Sequence, residues 1–323
     1  SLPLVWNDNL IFYYLTRCLS AIFGALTVIP LYLTGKELFG KKAGILSALT
    51  MAILPYHVWH SHYSLGDVPM VFMLAWGLYF SSKIIKSSDT KNYLLAGLFV
   101  GLSASMKYNG GLSALMVPVA HFIRVLISKK DSEVFVKSEI LDKKGFLSLV
   151  FSGAFALFGF LIGTPYALFD FKTFSRTDGP QGAFWQFTNV GSVRFMEHVG
   201  KFFTESFGRI LTNTGYVVMP VYFIVLGYLI YKIVKKKTEE RYFYLLFLYI
   251  VSLFLIWYES GFKNNRSHYY FIFYPFLALI FGFFVNCLRY KFSLGWPKEN
   301  FSKLFSKIVV PILFAPLLIS SIS

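Results

Sequence analysis

The sequence predicts an all-α polytopic membrane bundle. Apolar runs of spanning length recur from one end of the chain to the other, and the basic residues gather between alternate runs. Composition points the same way: 56% of the 323 residues are hydrophobic and only 15% are charged, against roughly 25% charged in soluble domains. Too few charges remain to cover soluble domains of this size, so a water-soluble enzyme is excluded. Mean hydropathy is +0.57, and the 24 Gly and 12 Pro follow no period, which excludes disorder and collagen-like repeats. The net charge of +15 suggests nucleic acid only until its distribution along the chain is considered. Cys18 and Cys287 both fall in apolar runs, so they build neither a disulfide framework nor a cysteine metal knuckle.

The apolar stretches cover residues 10–34, 43–60, 68–85, 93–107, 111–128, 146–166, 216–233, 242–258, 270–288 and 307–323, about ten candidate spans, of which the fourth and last are short. No stretch has the form of a removable signal peptide, and the chain begins on Ser1, so its start is expected to be that of a fragment. If the spans alternate, loops 35–42, 83–92, 129–145, 234–241 and 289–306 share one side and, with their flanks, hold most of the 31 Lys and Arg. That side is expected to be cytoplasmic. The short opposite loops hold Lys107, Lys263 and Arg266, and both termini then face outward.

We read residues 1–323 as one transmembrane unit with a single long outer connection, 167–215. Between Val193 and Leu211 of that connection, apolar residues recur at helical spacing with charges between them. This predicts an amphipathic helix lying on the membrane surface, with an ordinary loop packed on the bundle as the alternative.

Polar groups near the outer ends of the spans are candidate functional residues, because burying them in a bilayer is unfavourable without a purpose. His57, His60, His62, Tyr63 and Asp67 lie in PYHVWHSHYSLGDVP. Imidazoles and a carboxylate suit zinc, but His60 and His62 fall on different faces of a helix, so hydrogen bonding to a polar substrate is preferred. Lys107-Tyr108-Asn109 interrupts an apolar stretch on the side where lysine is disfavoured, which calls for an anionic partner such as phosphate. Arg266, His268 and Tyr270 in the last outer loop add further donors, the guanidinium matching a phosphate's oxygens. Arg17 inside the first span either lines the same cavity or snorkels outward. Asn265-Arg266-Ser267 fits a glycosylation sequon, a pattern too common to use. No P-loop, GxSxG elbow, HExxH or dinucleotide fingerprint occurs.

Four elements in order then resemble one family. The run from Arg17 to Phe72, RCLSAIFGALTVIPLYLTGKELFGKKAGILSALTMAILPYHVWHSHYSLGDVPMVF, resembles the polyprenyl-phosphate-sugar-dependent glycosyltransferases of the GT-C class, in their protein O-mannosyltransferase-like branch. GLSASMKYNGGL resembles the branch's Lys-Tyr-Asn element, GTPYALFD its Thr-Pro-Tyr element, and NRSHYYFIFYPFLALIFG its Arg-aromatic-Pro span. The resemblance covers residues 10 to 290 and implies a GT-C-like bundle with one further helix ahead of those present.

It also implies an acidic catalytic residue in the first external loop. Asp8 lies in that neighbourhood, but Trp6-Asn7-Asp8-Asn9 departs from the family's acidic motif, so the principal base is expected ahead of this chain. The 167–215 connection is too short for the large soluble insert of eukaryotic members, which points to a prokaryotic form acting in the plasma membrane with its active face outside.

The implied reaction moves a sugar, mannose foremost, from a polyprenyl- or dolichyl-phosphate carrier to a protein, lipid or glycan acceptor, with inversion at the anomeric carbon. In that reading Lys107, Arg266, His268 and Tyr270 hold the donor phosphate. Asp67 supports the base, and His60, His62, Tyr63, Tyr108 and Asn109 bind substrate. No cofactor is firmly implied beyond the lipid-linked sugar as substrate, a divalent metal is the lesser alternative, and nucleic acid is not a partner. A transporter or flippase for a lipid-linked or small anionic solute is the rival reading. The chain shows no internal repeat, and its polar residues collect at one face instead of the midplane. A non-catalytic scaffold leaves Asp67, Lys107 and Arg266 unexplained.

Overall fold

The computed structural model describes residues 9–131, 143–179, 182–185, 191–237, 239–264, 266–293 and isolated positions between 311 and 319. Among these the chain is helical throughout: α1 (Asn9–Leu26), α2 (Val28–Phe39), α3 (Lys41–Ala52), α4 (Pro55–His60), α5 (Asp67–Lys86), α6 (Thr90–Met106), a 3-10 segment (Tyr108–Leu115), α7 (Met116–Asp131) and α8 (Lys143–Gly163). Two short turns, α9 (Tyr166–Phe169) and α10 (Phe171–Phe174), follow. Next come α11 (Phe195–Lys201), a π-turn (Phe202–Ser206), α12 (Phe207–Asn213), α13 (Val218–Val234), α14 (Glu240–Ser260), a second 3-10 segment (Ser267–Phe273) and α15 (Tyr274–Ser293).

Six helical stretches among the described residues are long and apolar enough to cross a bilayer: Ile11–Phe39, Asp67–Lys86, Tyr108–Ser128, Lys143–Gly163, Glu240–Ser260 and Ser267–Leu288. The protein is a multi-pass integral membrane protein. Val218–Val234 is apolar but shorter, and the expected span at 93–107 is the 17-residue α6. The expected span at 43–60 is broken. α3 ends at Ala52 and α4 restarts at Pro55, because proline at the first helical position has no N–H to donate and forces Leu54 before it into an extended conformation (ψ 118°). The first span carries a similar break at Thr27, three residues before Pro30, where Leu26 loses its normal donor. The expected span at 307–323 lies almost wholly outside the described residues, although Phe314 is buried against Phe281 with ring centroids 5.5 Å apart.

Within a bilayer apolar side chains gain little by leaving lipid, so helices hold together where small residues let backbones approach. α6 crosses α8 on Gly97 and Gly101. A Cβ at Gly97 would sit 2.1 Å from the Ser152 carbonyl oxygen, and one at Gly101 would sit 1.9 Å from that of Ala156. Gly35 of α2 and Gly44 of α3 form a second such contact, reversed at Gly40, whose φ of +92° only glycine adopts readily. Three buried hydroxyls are satisfied inside their own helices: Thr34 donates to Pro30 O at 2.8 Å, Ser47 to Ala43 O at 2.9 Å and Thr50 to Leu46 O at 2.7 Å.

Chain direction sorts the charges. Lys36, Lys41, Lys42, Lys83, Lys86, Lys232 and Arg241 stand at one end of the bundle, where Lys86 pairs with Glu37 at 3.4 Å. The other end carries Asp67, Lys107, Glu259 and His268. Residues 195–213 form a continuous helical run fastened at this second end. His198 Nε2 lies 2.7 Å from Trp257 O, and Lys201 Nζ donates to Lys263 O at 3.1 Å.

Replacing Gly101 by Val should lower the stability of the detergent-solubilised protein by about 1–3 kcal/mol, the range for overpacking a close contact. Gly153→Ala, where an added Cβ meets nothing within 4 Å, should leave it unchanged. Thermal unfolding followed by size-exclusion chromatography separates the two, and equal behaviour would refute the close crossing.

Candidate active site

Two helix ends and a glycine place the first pair of charges. α5 begins at Asp67, whose carboxylate in the first turn faces the positive end of the helix dipole. α6 ends at Met106 because Lys107 is extended (φ −159°, ψ 131°). The two ends are held together by Gly66, where a Cβ would lie 2.6 Å from Met106 O, and by Ser103 Oγ, which donates to Met70 O at 3.0 Å. Lys107 Nζ therefore meets Asp67 Oδ1 at 2.6 Å, with side-chain exposures of 25% and 5%. The anionic partner expected for Lys107 is thus already present within the chain. Its ammonium also stands 5.1 Å from the Tyr269 ring centroid.

After Lys107 the chain turns back in a 3-10 segment, which Gly110 permits: a Cβ there would be 2.5 Å from Ser103 O. This turn aims Asn109 at α14, and its Nδ2 donates to Glu259 Oε1 at 3.1 Å. Glu259 is 1% exposed. Tyr108 points the other way and shares a hydrogen bond of 2.9 Å with the Tyr166 hydroxyl, which joins the Lys-Tyr-Asn and Thr-Pro-Tyr elements.

The histidines divide. His60 is buried among Tyr56, Trp59 and Phe271, at ring-centroid distances of 4.2, 5.1 and 5.2 Å. His268 stands 6.5 Å away. Neither ring nitrogen of His60 has a hydrogen-bond partner among the described residues. His57 is a tether, its Nε2 lying 3.2 Å from Gly24 O. His62 does not join His60. It is exposed, its Nδ1 lies 2.8 Å from Val58 O, and its own carbonyl accepts from Arg17 Nε at 2.5 Å. Arg17 thus pins the 61–66 loop. Tyr63 is 37% exposed and meets Trp59 edge-on at 4.9 Å.

Arg266 is exposed at the start of the second 3-10 segment. Tyr270 departs from the sequence expectation of a phosphate donor: it is fully buried, and its hydroxyl lies 2.6 Å from Ser206 Oγ, tying this segment to the π-turn. With three residues per turn, His268 and Phe271 share the face toward His60, and Tyr270 falls on another. Asn265 and Asp8 lie outside the described residues. Among the described residues no three His, Cys, Asp or Glu side chains are grouped to hold a metal ion. In the outer connection Asp170 caps α10, and hydrogen bonds from Thr173 hold its carboxyl below the ordinary range.

Sequence reasoning missed Glu259, Tyr56 and Tyr269. Glu259 had a signal: it is an acid directly after an apolar run of spanning length, on the side that carries few charges.

The model of the dolichyl-phosphate-mannose-protein mannosyltransferase family matches residues 15–158. Over this stretch the chain is protein-mannosyltransferase-like. The yeast dolichyl-phosphate-mannose–protein mannosyltransferase 1 (Saccharomyces cerevisiae) is 30% identical over 163 residues, 49% of this chain and 19% of the yeast protein. Among solved structures, the oligosaccharyltransferase of Archaeoglobus fulgidus tethered to an acceptor peptide superposes with a TM-score of 0.54 at 16% identity, over 95% of this chain and 43% of that one. The archaeal oligosaccharyltransferase AglB from the same organism, solved with an inhibitory peptide and a dolichol-phosphate, gives 0.52 at 15% identity over 95% and 44%. These structures share the GT-C-like fold. The chain spans less than half the length of each of these proteins. The mannosyltransferase-like stretch contains Arg17, His60, Asp67, Lys107 and Asn109, whereas Glu259 and His268 lie beyond it and are brought to the site by the fold.

Gly110→Ala should displace the Lys107–Asn109 turn and destabilise the protein by about 1–3 kcal/mol. Gly111→Ala, with only an ordinary 3.5 Å contact to Ala104 Cβ, should be tolerated. Thermal melts of the two variants test this, and a stable Gly110→Ala protein would show that the turn is not forced by that contact.

Proposed function

We propose that this chain is the membrane-embedded catalytic part of a glycosyltransferase. It moves a sugar, mannose foremost, from a polyprenyl or dolichyl phosphate to an acceptor at the extracytoplasmic face. The observation that carries this reading is the convergence of Lys107, Asp67, His60, Asn109 and His268 at one end of the bundle, the end away from most of the basic residues. The mannosyltransferase-like stretch supports it.

In an inverting transfer a base takes the acceptor hydroxyl's proton while that oxygen attacks the anomeric carbon from the side opposite the phosphate. The bond to the phosphate oxygen breaks, and the lipid phosphate leaves with one more negative charge. Cations facing that oxygen stabilise the transition state more than the ground state. Lys107 supplies one. Its ammonium has three donors, of which the ion pair with Asp67 uses one. Arg266 is exposed at the same end and offers a planar fork for phosphate oxygens, and His268 adds a donor beside it. Asp67 accepts from Lys107 and retains lone pairs for hydroxyls of sugar or acceptor. His60, buried with neither ring nitrogen partnered among the described residues, and Asn109 offer further polar contacts. Tyr63 and Tyr108 border the site, and His62 stands at its outer edge. A divalent metal is the lesser alternative to these cations. The acceptor is a protein, lipid or glycan, and the prokaryotic form places the reaction at the plasma membrane.

Full-length protein containing this chain, in proteoliposomes with radiolabelled polyprenyl-phosphate mannose, should transfer label to acceptor. Lys107→Ala and Arg266→Ala should each reduce transfer by about 100-fold or more, as removal of one charge-stabilising donor does. Arg266 is exposed, so its loss should not disturb folding. Full activity in both variants would remove the phosphate assignment, and movement of the lipid across the bilayer without label transfer would make the protein a flippase.

A further inference from the structure

Glu259 is the buried acid for which the transfer reaction as described has no use. It is 1% exposed at the end of α14, and it accepts a hydrogen bond from a neutral amide, Asn109 Nδ2, at 3.1 Å. A carboxyl taken out of water needs hydrogen bonds or a cation. The nearest ammonium, Lys107, is in direct contact with Asp67 instead.

The backbone that carries Glu259 is held from two sides. His198 stacks on Trp257 with ring centroids 4.0 Å apart, and its Nε2 lies 2.7 Å from Trp257 O and 2.9 Å from Ser260 Oγ. The strand-like bridge between Ser192 and Phe262, with Val193 N donating to Gly261 O at 3.0 Å, closes the turn just beyond. A group so firmly placed and hydrogen-bonded to one residue of the site is suited to orient that residue.

The consequence falls on the far end of the Asn109 amide. With Glu259 Oε1 accepting from Asn109 Nδ2, the NH2 side of the amide faces α14 and its carbonyl oxygen is turned away. That oxygen, Asn109 Oδ1, is buried and has no hydrogen-bond partner among the described residues. Both ring nitrogens of His60 are in the same condition. Unsatisfied buried donors and acceptors are rare because each is unfavourable by itself, and a sugar hydroxyl, which both donates and accepts, can satisfy either kind.

We infer that Glu259 is a positioning residue that fixes the Asn109 amide so that its carbonyl oxygen accepts a hydrogen bond from a hydroxyl of the transferred sugar. This rests on the glycosyltransferase reading above. Asn109 touches the sugar and Glu259 acts through it. The pair reads the sugar and leaves the lipid phosphate to Lys107 and Arg266, which separates recognition of the two halves of the donor.

Binding of two lipids to the full-length protein tests this: polyprenyl phosphate without sugar, and polyprenyl-phosphate mannose. Glu259→Gln keeps an oxygen that accepts from Asn109 Nδ2, and it should bind both lipids within about threefold of wild type. Glu259→Leu should weaken the sugar-bearing lipid about tenfold, the loss of one such hydrogen bond, and leave the sugar-free lipid within about twofold. Asn109→Leu should show the same selective loss, and Glu259→Leu combined with Asn109→Leu should be no worse than Asn109→Leu alone. If Glu259→Leu is recovered too poorly to measure, Glu259→Gln and Asn109→Leu still decide the matter. Equal weakening of both lipids, additive losses in the double variant, or a Glu259→Gln protein without sugar discrimination would each overturn the inference. A wild-type protein that binds neither lipid would overturn the glycosyltransferase reading itself, and this inference with it.

Discussion

The contact between Lys107 and Asp67 is the interaction on which the outer end of the bundle depends. It ties the first residue after α6 to the first residue of α5, forty positions apart in sequence, with the Asp67 carboxylate almost wholly withdrawn from solvent. An ion pair of this kind is favourable only if both groups are held in place, because desolvating them offsets much of their attraction. The structure meets that condition through backbone contacts: Gly66 against Met106 O, Ser103 against Met70 O, and Gly110 against Ser103 O. The pair therefore reports the positions of two helix ends, and everything else in the site is reached from them. Asn109 is two residues from Lys107, and Tyr269 faces the ammonium from the second 3-10 segment.

The remainder of the bundle serves to fix those ends. Close helix crossings on Gly97, Gly101, Gly35 and Gly44 substitute for the hydrophobic driving force that a bilayer removes. Hydroxyls that turn back onto their own helices leave the interior with few polar groups to satisfy, so the exceptions stand out. Among them are His60 and Asn109 at the site end, where Glu259 is buried as well. Interior helices can be generic where they only need to pack. The site end cannot, since each helix there stops at a residue whose backbone conformation directs the next side chain.

Much of this was legible in the sequence. Apolar runs predicted the helices because a bilayer requires spans of nearly uniform length, and Asp67 and Lys107 stood out as charges where none were expected. Their pairing was not legible, since the contact between residues 67 and 107 depends on how α5 and α6 cross. The break of the 43–60 run at Pro55 was visible as a proline but not weighted against the apolar length around it. Tyr270 was assigned to the site from its place among donors in the loop. The 3-10 period rotates it into the core and leaves His268 on the facing side. Glu259 was overlooked because an acid at the edge of an apolar run resembles the first residue of a loop. Only the packing of Asn109 against α14 shows that it is inside.

A double-mutant cycle on Asp67→Asn and Lys107→Met, read as unfolding free energy in detergent, tests the central claim most directly. If the ion pair organises the site end, each single change should destabilise the protein, and the pair should show a coupling energy of about 1–3 kcal/mol, with the double variant recovering much of the loss. A coupling near zero, with the two losses simply adding, would contradict the account and leave the two charges as independent neighbours.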